Sequence, residues 1–250
     1  MLFDIYGTLF ISGAGEISIS KKNFQNKDEL KKLLQKFGIK VTLQAVLKNL
    51  FDAIGKSHGE SRNKGIDFPE VEIDKIWMSV LGENCLTRAR EFAVLYELIV
   101  SSVYPMPHAD KLFAACKEMN FPMGIISNAQ FYTRYLFDWF FGSPPERLGF
   151  FSDLIFYSFK FGYAKPSVFM FNLAAEKLKK MGFPADSVLY IGNDMLNDIY
   201  PAKKAGFKTA LFAGDDRSLR IRKNNFECTK INADLVITDL LQLQKYIQQD

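Results

Sequence analysis

Four polar points interrupt or follow short apolar runs, and their residue types together could carry out chemistry. They are Asp4, the pair Ser127 and Asn128, Lys165, and the pair Asn193 and Asp194 with Asp198. A carboxylate can act as a covalent nucleophile, a hydroxyl and an amide can hold substrate oxygens, and a lysine can neutralise negative charge. A second carboxylate could complete a Mg²⁺ site, because Mg²⁺ prefers hard oxygen ligands and often takes some from a phosphate.

Predicted strands bring these points together. Met1 to Phe3 reads as a short buried strand that stops at Asp4, and Gly7 allows the chain to turn soon afterwards. Another apolar run, from Phe121, ends at Ser127. The carboxyl ends of parallel strands converge on one edge of a sheet, where ligands of open α/β sheets bind. We therefore expect the polar points to meet at that edge.

Each point also has a purely structural explanation. Asp4 could begin a turn, Ser127 and Asn128 could cap a helix, and Lys165 could be a solvated loop residue. Asp194 and Asp198 could flank a turn and cap the helix that follows. The arrival of all four points in order at strand ends favours a site over these separate explanations.

The segment 13–104 is predicted to be a helical bundle inserted directly after the first strand. Residues 11–20 resemble a small hairpin or flap, and a polar loop is expected at 58–65. Four amphipathic patterns predict helices at Leu30–Phe37, from Thr42 to Gly55, from Pro69 to Leu81 and from Thr87 to Ile99. A bundle inserted at the active edge of the sheet could act as a lid.

From residue 105 onward the chain alternates helix and strand. A helix through Leu112 and Cys116 precedes the strand at 121–126; further strands are predicted at 153–157, 187–191, 209–212 and 235–237, with helices at 167–181 and 197–205. Alternation of this kind predicts a parallel sheet covered by helices. The fold class is therefore α/β, a doubly wound parallel sheet formed by 1–12 and 105–250, with an all-α domain formed by 13–104.

Composition narrows the function classes. Apolar residues make up 48% and charged residues 24%, which predicts a packed core, and the net charge of +4 is scattered without a nucleic-acid-binding stripe. Two histidines argue against a histidine-based metal site or a Ser/His/Asp triad. No apolar run reaches membrane-spanning length. We expect a small-molecule substrate, and neither a nucleic-acid partner nor a membrane.

The cysteines and the chain ends bear on location. Three widely spaced cysteines suit free thiols in a reducing cytoplasm, and the first residues lack the basic region of a signal peptide. The first strand begins at Met1 itself, which leaves open that earlier residues of it are missing. The Phe-rich segment 131–141 is expected to be core in preference to interface, and the protein to be a monomer or homodimer.

In their order, these motifs resemble those of the haloacid dehalogenase-like (HAD) hydrolase superfamily. Four segments look like its four motifs, and a fifth also matches: Leu2–Leu9, Ile125–Asn128, Ala164–Phe169, Ile191–Ile199 and Ala202–Phe207. The resemblance extends from Met1 to about Ile247. The helical insert resembles the C1-type cap of this superfamily.

The resemblance implies a Rossmann-like core and a role for each motif. It implies that Asp4 is a nucleophile forming a covalent aspartyl intermediate, that Ser127 binds substrate oxygen and that Lys165 stabilises charge. Thr8 and Asn128 join them as expected substrate contacts. The resemblance to Mg²⁺-dependent members implies a metal held by Asp4, the Tyr6 backbone carbonyl and Asp194, or Asn193 in its place; Asp198 is a further candidate ligand.

One departure from the family pattern concerns Tyr6. Phosphatases of this family usually have an aspartate there, which serves as general acid and then as general base. A phenol has an ordinary pKa of about 10, so it is a poor base near neutral pH. A tyrosine at this position resembles the 2-haloacid dehalogenase branch, in which the leaving halide needs no proton.

A second departure points to phosphate esters. The dehalogenase branch uses an early cap arginine to hold the substrate carboxylate, but no arginine occurs between Leu9 and Ser61. Arg62, Arg88, Arg90 or a lysine could supply such a clamp. The two aspartates of the fourth motif suit Mg²⁺ better than a metal-free site. We therefore expect Mg²⁺-dependent hydrolysis of a small phosphate ester, with 2-haloacid dehalogenation and a catalytically weak binding protein as alternatives.

Overall fold

A parallel six-stranded sheet forms the centre of the computed structural model, which describes residues 1–12 and 26–247. Its strand order is β5-β4-β1-β6-β7-β8. A separate two-stranded antiparallel ribbon is made by β2 and β3. The strands are β1 Leu2–Phe3, β2 Phe10–Ser12, β3 Val103–Pro105, β4 Met123–Ser127, β5 Phe150–Tyr157, β6 Leu189–Gly192, β7 Lys208–Phe212 and β8 Leu235–Ile237.

Helices cover both faces of the sheet and form a separate group beyond its edge. They are α1 Lys27–Lys36, α2 Leu43–Asn63, α3 Ile73–Leu81, α4 Leu86–Val100, α5 Ala109–Glu118, α6 Tyr135–Phe141, α7 Ser158–Phe161, α8 Phe169–Lys180 and α9 Tyr200–Lys204. We refer to α1–α4 as the cap helices. The observed architecture confirms the predicted α/β fold class.

The central strand β1 shows why the sheet is buried on both sides. Phe3 packs with residues of α5 on one face, whereas Leu2 packs with residues of α8 on the other. Gly124 pairs with Leu2 in the neighbouring strand. A Cβ at Gly124 would lie within 2.7 Å of atoms of Leu2 and Leu154, so no larger residue fits there. Buried on both faces, these strands read as continuous apolar runs in the sequence.

The cap helices enclose their own core around Trp77. Trp77 packs against Phe92 and Tyr96 with ring centroids 4.7 and 4.8 Å apart. Leucines of α1 and α2 complete this cluster. The amphipathic patterns that predicted four helices therefore correspond to faces buried against one another.

Two of the predicted cap boundaries were wrong. Helix α2 continues through Gly55 to Asn63, across most of the polar segment expected to be a loop. A helix interior tolerates glycine at a cost of about 1 kcal/mol, so Gly55 did not end it. Helix α3 begins at Ile73 and not at Pro69, because the chain there is extended and Pro69 bridges to Tyr163.

Three further expectations differ in detail. Ile11 and Ser12 pair with β3, and the rest of the expected hairpin lies outside the described residues. The helix predicted at 197–205 is divided into a π-helical turn at Met195–Ile199 followed by α9. In the Phe-rich segment, Phe137 is fully buried, whereas Trp139 is about half exposed.

No helix in the two described ranges combines the length and apolar character needed to span a membrane. The three cysteines are free; Cys116 and Cys228 are buried, and Cys85 is exposed.

Truncating Trp77 tests the cap core. We expect Trp77→Ala to lower the free energy of unfolding by about 3–5 kcal/mol, because it removes a large side chain that is fully buried. Urea denaturation followed by far-UV circular dichroism measures the change. Leu98→Ala, on α4 but about half exposed, is the control and should stay within about 0.5 kcal/mol of the unmodified chain. A similar effect of both substitutions would contradict this packing.

Candidate active site

Asp4 lies at the carboxyl end of the central strand. Its backbone N–H donates to the Ile191 carbonyl at 2.9 Å, which continues the pairing of β1 with β6, and its side chain is almost buried. The chain then turns at Gly7, where φ is +86°. A Cβ at Gly7 would lie 2.5 Å from the Asn193 side chain, so glycine is needed both for the turn and for this close approach.

Lys165 binds Asp4 directly. Its Nζ lies 2.7 Å from Asp4 Oδ1 and 2.5 Å from Asp198 Oδ1, and the lysine is buried. Burial lowers the pKa of Lys165, but the carboxylates of Asp198 and Asp4 outweigh burial, so its pKa is raised above the ordinary value. Lys165 is therefore a fixed cation beside the expected nucleophile.

Asp198 holds Lys165 in place. Its Oδ1 accepts from Lys165 and from the Tyr190 hydroxyl at 3.0 Å, and its Oδ2 accepts from the Asp194 N–H at 2.9 Å. Burial raises the pKa of Asp198 to about 7, although Lys165 acts in the opposite direction. Protein donors therefore engage both oxygens of Asp198, the residue expected as a further metal ligand.

Asn128 joins the second motif to the third. Its Oδ1 accepts from the Lys165 N–H at 2.7 Å, and its Nδ2 donates to the Lys165 carbonyl at 3.2 Å. The amide expected to bind substrate is thus used to hold the Lys165 backbone. Ser127 and Thr8, the other expected substrate contacts, are fully buried, and the Thr8 hydroxyl donates to Asn193 Oδ1 at 3.4 Å.

Arg222 pairs with Asp194, a contact that sequence reasoning missed. Its Nη2 lies 2.6 Å from Asp194 Oδ2, and its Nε donates to both carboxylate oxygens. Asp194 Oδ1 also accepts from the N–H groups of Leu196 and Asn197, which caps the π-helical turn. Three arginines clustered at 217–222, soon after a predicted strand, were the available signal.

Tyr6 is held away from proton transfer. Its hydroxyl lies 2.9 Å from the Thr133 hydroxyl, and burial raises its pKa well above the ordinary value for a phenol. A hydroxyl that keeps its proton so firmly is neither a general base nor an effective general acid near neutral pH.

A cavity of about 490 Å³ lies between the sheet edge and the cap helices. Residues at the sheet edge line one side, and residues of the cap helices line the other: Asp4, Lys165, Asn128, Asn193, Asp194 and Arg220, and Leu50, Ile54, His58, Trp77, Tyr96 and Glu97. Its size is typical of pockets for small molecules. Neither Ser127 nor Thr8 is among the described residues that line it.

The three arginines considered as a carboxylate clamp are not part of the cavity wall. Arg88 donates to the Phe37 carbonyl and pairs with Glu83, and Arg90 pairs with Asp74 at 2.8 Å. None of the three, Arg62 included, is among the described residues that line the cavity. Arg220 does line it, from the sheet side.

Metal-binding capacity at this site rests on few residues. Over 1–12 and 26–247, no group of three or more His, Cys, Asp or Glu side chains is placed to hold a metal ion. Asp4 and Asp194 both line the cavity, together with Asn193. Two carboxylates with amide or carbonyl oxygens still fit Mg²⁺, which commonly uses one or two protein carboxylates and completes its shell with substrate phosphate and water.

Comparisons with known proteins agree on the family. A family model described as haloacid dehalogenase-like hydrolase matches residues 1–206. A glyceraldehyde 3-phosphate phosphatase from Methanocaldococcus jannaschii is 26% identical over 213 residues, which cover 84% of this chain and 82% of the relative.

Solved structures with the same fold include both kinds of enzyme weighed above. A 2-haloacid dehalogenase from Pseudomonas syringae superposes with a TM-score of 0.59 at 16% identity, covering 98% of this chain and 95% of its own. A HAD phosphatase from Thermococcus onnurineus superposes with a TM-score of 0.58 at 16% identity, and the match covers 99% of this chain and 96% of that chain. At such identities these likenesses show the fold alone.

Replacing Asp198 tests the ion-pair arrangement. Asp198→Asn removes one of two charges that neutralise a buried ammonium, and breaking a buried pair costs about 3–5 kcal/mol. We expect a loss of about 3 kcal/mol in unfolding free energy, the low end because Asp4 still pairs with Lys165. Urea denaturation followed by far-UV circular dichroism measures this change.

The matched control is Asp153→Asn. Asp153 also pairs with a lysine, but at 3.6 Å and with most of its side chain in solvent, so its loss should change stability by less than about 0.5 kcal/mol. Equal effects of the two substitutions would show that Asp198 does not anchor Lys165.

Proposed function

Because the chain belongs to the haloacid dehalogenase-like hydrolase family, we propose that it hydrolyses small phosphate esters through a covalent intermediate on Asp4. The observation that carries the proposal is the placement of Asp4 on the cavity wall, in contact with the buried ammonium of Lys165. The phosphatase from M. jannaschii, which this chain resembles over most of its length, supports the same reaction class.

The proposed reaction has two steps. A carboxylate oxygen of Asp4 attacks phosphorus, the bond from phosphorus to the ester oxygen breaks, and the leaving oxygen takes a proton from solvent. Water then attacks the aspartyl phosphate, which releases inorganic phosphate and restores Asp4. Lys165 stabilises the negative charge of the phosphoryl oxygens throughout, because its ammonium is fixed beside Asp4.

Mg²⁺ is the proposed cofactor. Its proposed ligands are Asp4, the backbone carbonyl of Tyr6 and Asp194, with Asn193 as the alternative to Asp194. When bound, the ion would supply charge neutralisation for the phosphoryl group. Arg222 already neutralises Asp194, so the ion and the guanidinium would share this carboxylate or compete for it.

A 2-haloacid dehalogenase is the second candidate, and Tyr6 favours it because halide leaves without a proton. Two observations oppose it. The cap arginines lie off the cavity, and Glu70 and Glu97 line its cap side. A substrate carboxylate placed there would be repelled instead of bound.

Product release under two conditions distinguishes these reactions. We expect inorganic phosphate from small phosphate esters in the presence of Mg²⁺, with loss of activity on addition of chelator, and no halide from 2-chloropropionate. Halide release insensitive to chelator would overturn the proposal. Release of neither product would support a HAD fold used for binding.

Replacing the nucleophile tests the role of Asp4. We expect Asp4→Asn to reduce phosphate release by about 10³-fold or more, because no covalent intermediate can form. Asp186→Asn, an exposed aspartate away from the cavity, is the control and should retain full activity. Residual activity within tenfold of the unmodified enzyme would exclude Asp4 as the nucleophile.

The absence of an acid at Tyr6 predicts a strong dependence on the leaving group. A positioned general acid contributes about 10²–10⁴ to rate, and alkyl esters need that help more than aryl esters do. We expect kcat for p-nitrophenyl phosphate to exceed that for n-propyl phosphate by at least about 10². Equal rates for the two esters would mean that another residue of the cavity supplies the proton.

A further inference from the structure

The cap side of the cavity contains polar atoms that form no hydrogen bond with any residue the structure describes. The Tyr96 hydroxyl and His58 Nε2 are both buried, and neither has a hydrogen-bond partner in the described chain. Both residues line the cavity, and Tyr96 is only 8% exposed. An unsatisfied buried polar atom costs about 1–3 kcal/mol, so two on one wall indicate a place where a ligand supplies the missing bonds.

Glu97 is beside them on the same wall. It follows Tyr96 on α4, lines the cavity, and is hydrogen-bonded by Tyr132 and Ser101. Burial raises its pKa above the ordinary value, against the effect of those two hydrogen bonds. Glu70 accepts three hydrogen bonds, from Ser158, Gln130 and the Val71 N–H, which is one more than Glu97.

We propose that Tyr96, His58 and Glu97 bind a hydroxyl-bearing end of the substrate, so that the preferred substrates are phosphate monoesters of short polyols. This inference rests on the proposed function, since it assumes that the phosphate lies at Asp4 and the rest of the ester extends toward the cap. Leu50, Ile54 and Trp77 form the apolar wall around these three groups. Apolar surroundings lower the local dielectric constant, which strengthens polar contacts.

The charges on this wall favour a neutral group. A carboxylate would meet Glu97. Burial, together with the charge of Arg62 one turn later on α2, lowers the pKa of His58 and so favours its neutral form. Burial keeps the proton on Tyr96 by raising its pKa. The three residues therefore offer a hydroxyl donor, a neutral imidazole and an acceptor. A hydroxyl both donates and accepts, so it satisfies them, whereas an ammonium only donates.

A set of esters with matched backbones tests the proposal. The substrates are 2,3-dihydroxypropyl, n-propyl, 3-aminopropyl and 2-carboxyethyl phosphate, and the measurement is kcat/KM for phosphate release. We expect the dihydroxypropyl ester to exceed each of the others by about 5- to 100-fold, the range that one to three kcal/mol of hydrogen bonding supplies. Because all four substrates are alkyl esters, the ratio of their kcat/KM values is independent of the slow turnover that alkyl esters share.

Variants of the wall identify the residues responsible. Tyr96→Phe and Glu97→Gln should each lower the ratio of kcat/KM for dihydroxypropyl over n-propyl phosphate by at least about 5-fold. Tyr104→Phe and Glu91→Gln are the controls, because both residues are exposed and lie off the cavity; they should leave the ratio unchanged. His58→Phe provides an independent test from the other helix.

The possible outcomes distinguish failure of this inference about substrate preference from failure of the proposed phosphatase function. Equal kcat/KM for all four esters, or ratios unaffected by the Tyr96 and Glu97 variants, would overturn the inference while phosphate release upholds the proposed function. A preference for the aminopropyl ester would overturn it in favour of a cation site. Release of phosphate from none of the esters, p-nitrophenyl phosphate included, would reject both.

Discussion

A single buried ammonium, that of Lys165, pairs with two carboxylates at the carboxyl edge of the sheet. Asp4 follows the central strand β1 and Asp198 follows its neighbour β6, so neither charge could be buried there without the lysine between them. Three charges taken out of water are stable only if geometry and hydrogen bonds are complete. Tyr190 adds to them: its hydroxyl accepts from Lys165 Nζ and has two acceptors within reach for its one proton, the Ile126 carbonyl at 2.9 Å and Asp198 Oδ1 at 3.0 Å.

This requirement explains why so many polar side chains of the site bind the protein itself. The Asn128 side chain accepts from the Lys165 N–H and donates to the Lys165 carbonyl. Asp198 accepts a hydrogen bond from the Asp194 N–H. These contacts cost substrate-binding capacity but hold the reactive groups rigidly. In the proposed reaction, preorganised charge of this kind would need no rearrangement as the phosphoryl group gains negative charge in the transition state.

The cap is connected to the same cation by backbone pairing. The Ala164 N–H donates to the Phe68 carbonyl and the Glu70 N–H to the Gly162 carbonyl, so the extended segment before α3 runs alongside the residues that lead to Lys165. Gln130 adds contacts to Val71 and Ile73 from the loop after β4. A shift of α3 would therefore reach the loop carrying the lysine, which makes the cap wall and the sheet edge parts of one site.

Local sequence determined the order of strands and helices and the four polar points at strand ends. A strand that is buried on both faces consists of apolar residues, so a charged residue marks its end in the sequence. Strand β1, for example, ends just before Asp4. Family resemblance added the expected role of Asp4, and the helical spacing of apolar residues within 13–104 predicted four helices there. The boundary predicted at Gly55 was wrong, because a glycine inside a helix costs only about 1 kcal/mol and did not end α2.

Only the tertiary structure decided how those polar groups are used. Three features depend on how distant segments pack. Arg222 pairs with Asp194, both oxygens of Asp198 accept hydrogen bonds, and the Tyr96 hydroxyl has no partner within 1–12 and 26–247. Residue type determines whether a side chain can donate or accept a hydrogen bond, but it does not determine which partner the side chain binds in the folded protein. That choice is made by packing, and it separates groups held by the protein from those left for a ligand.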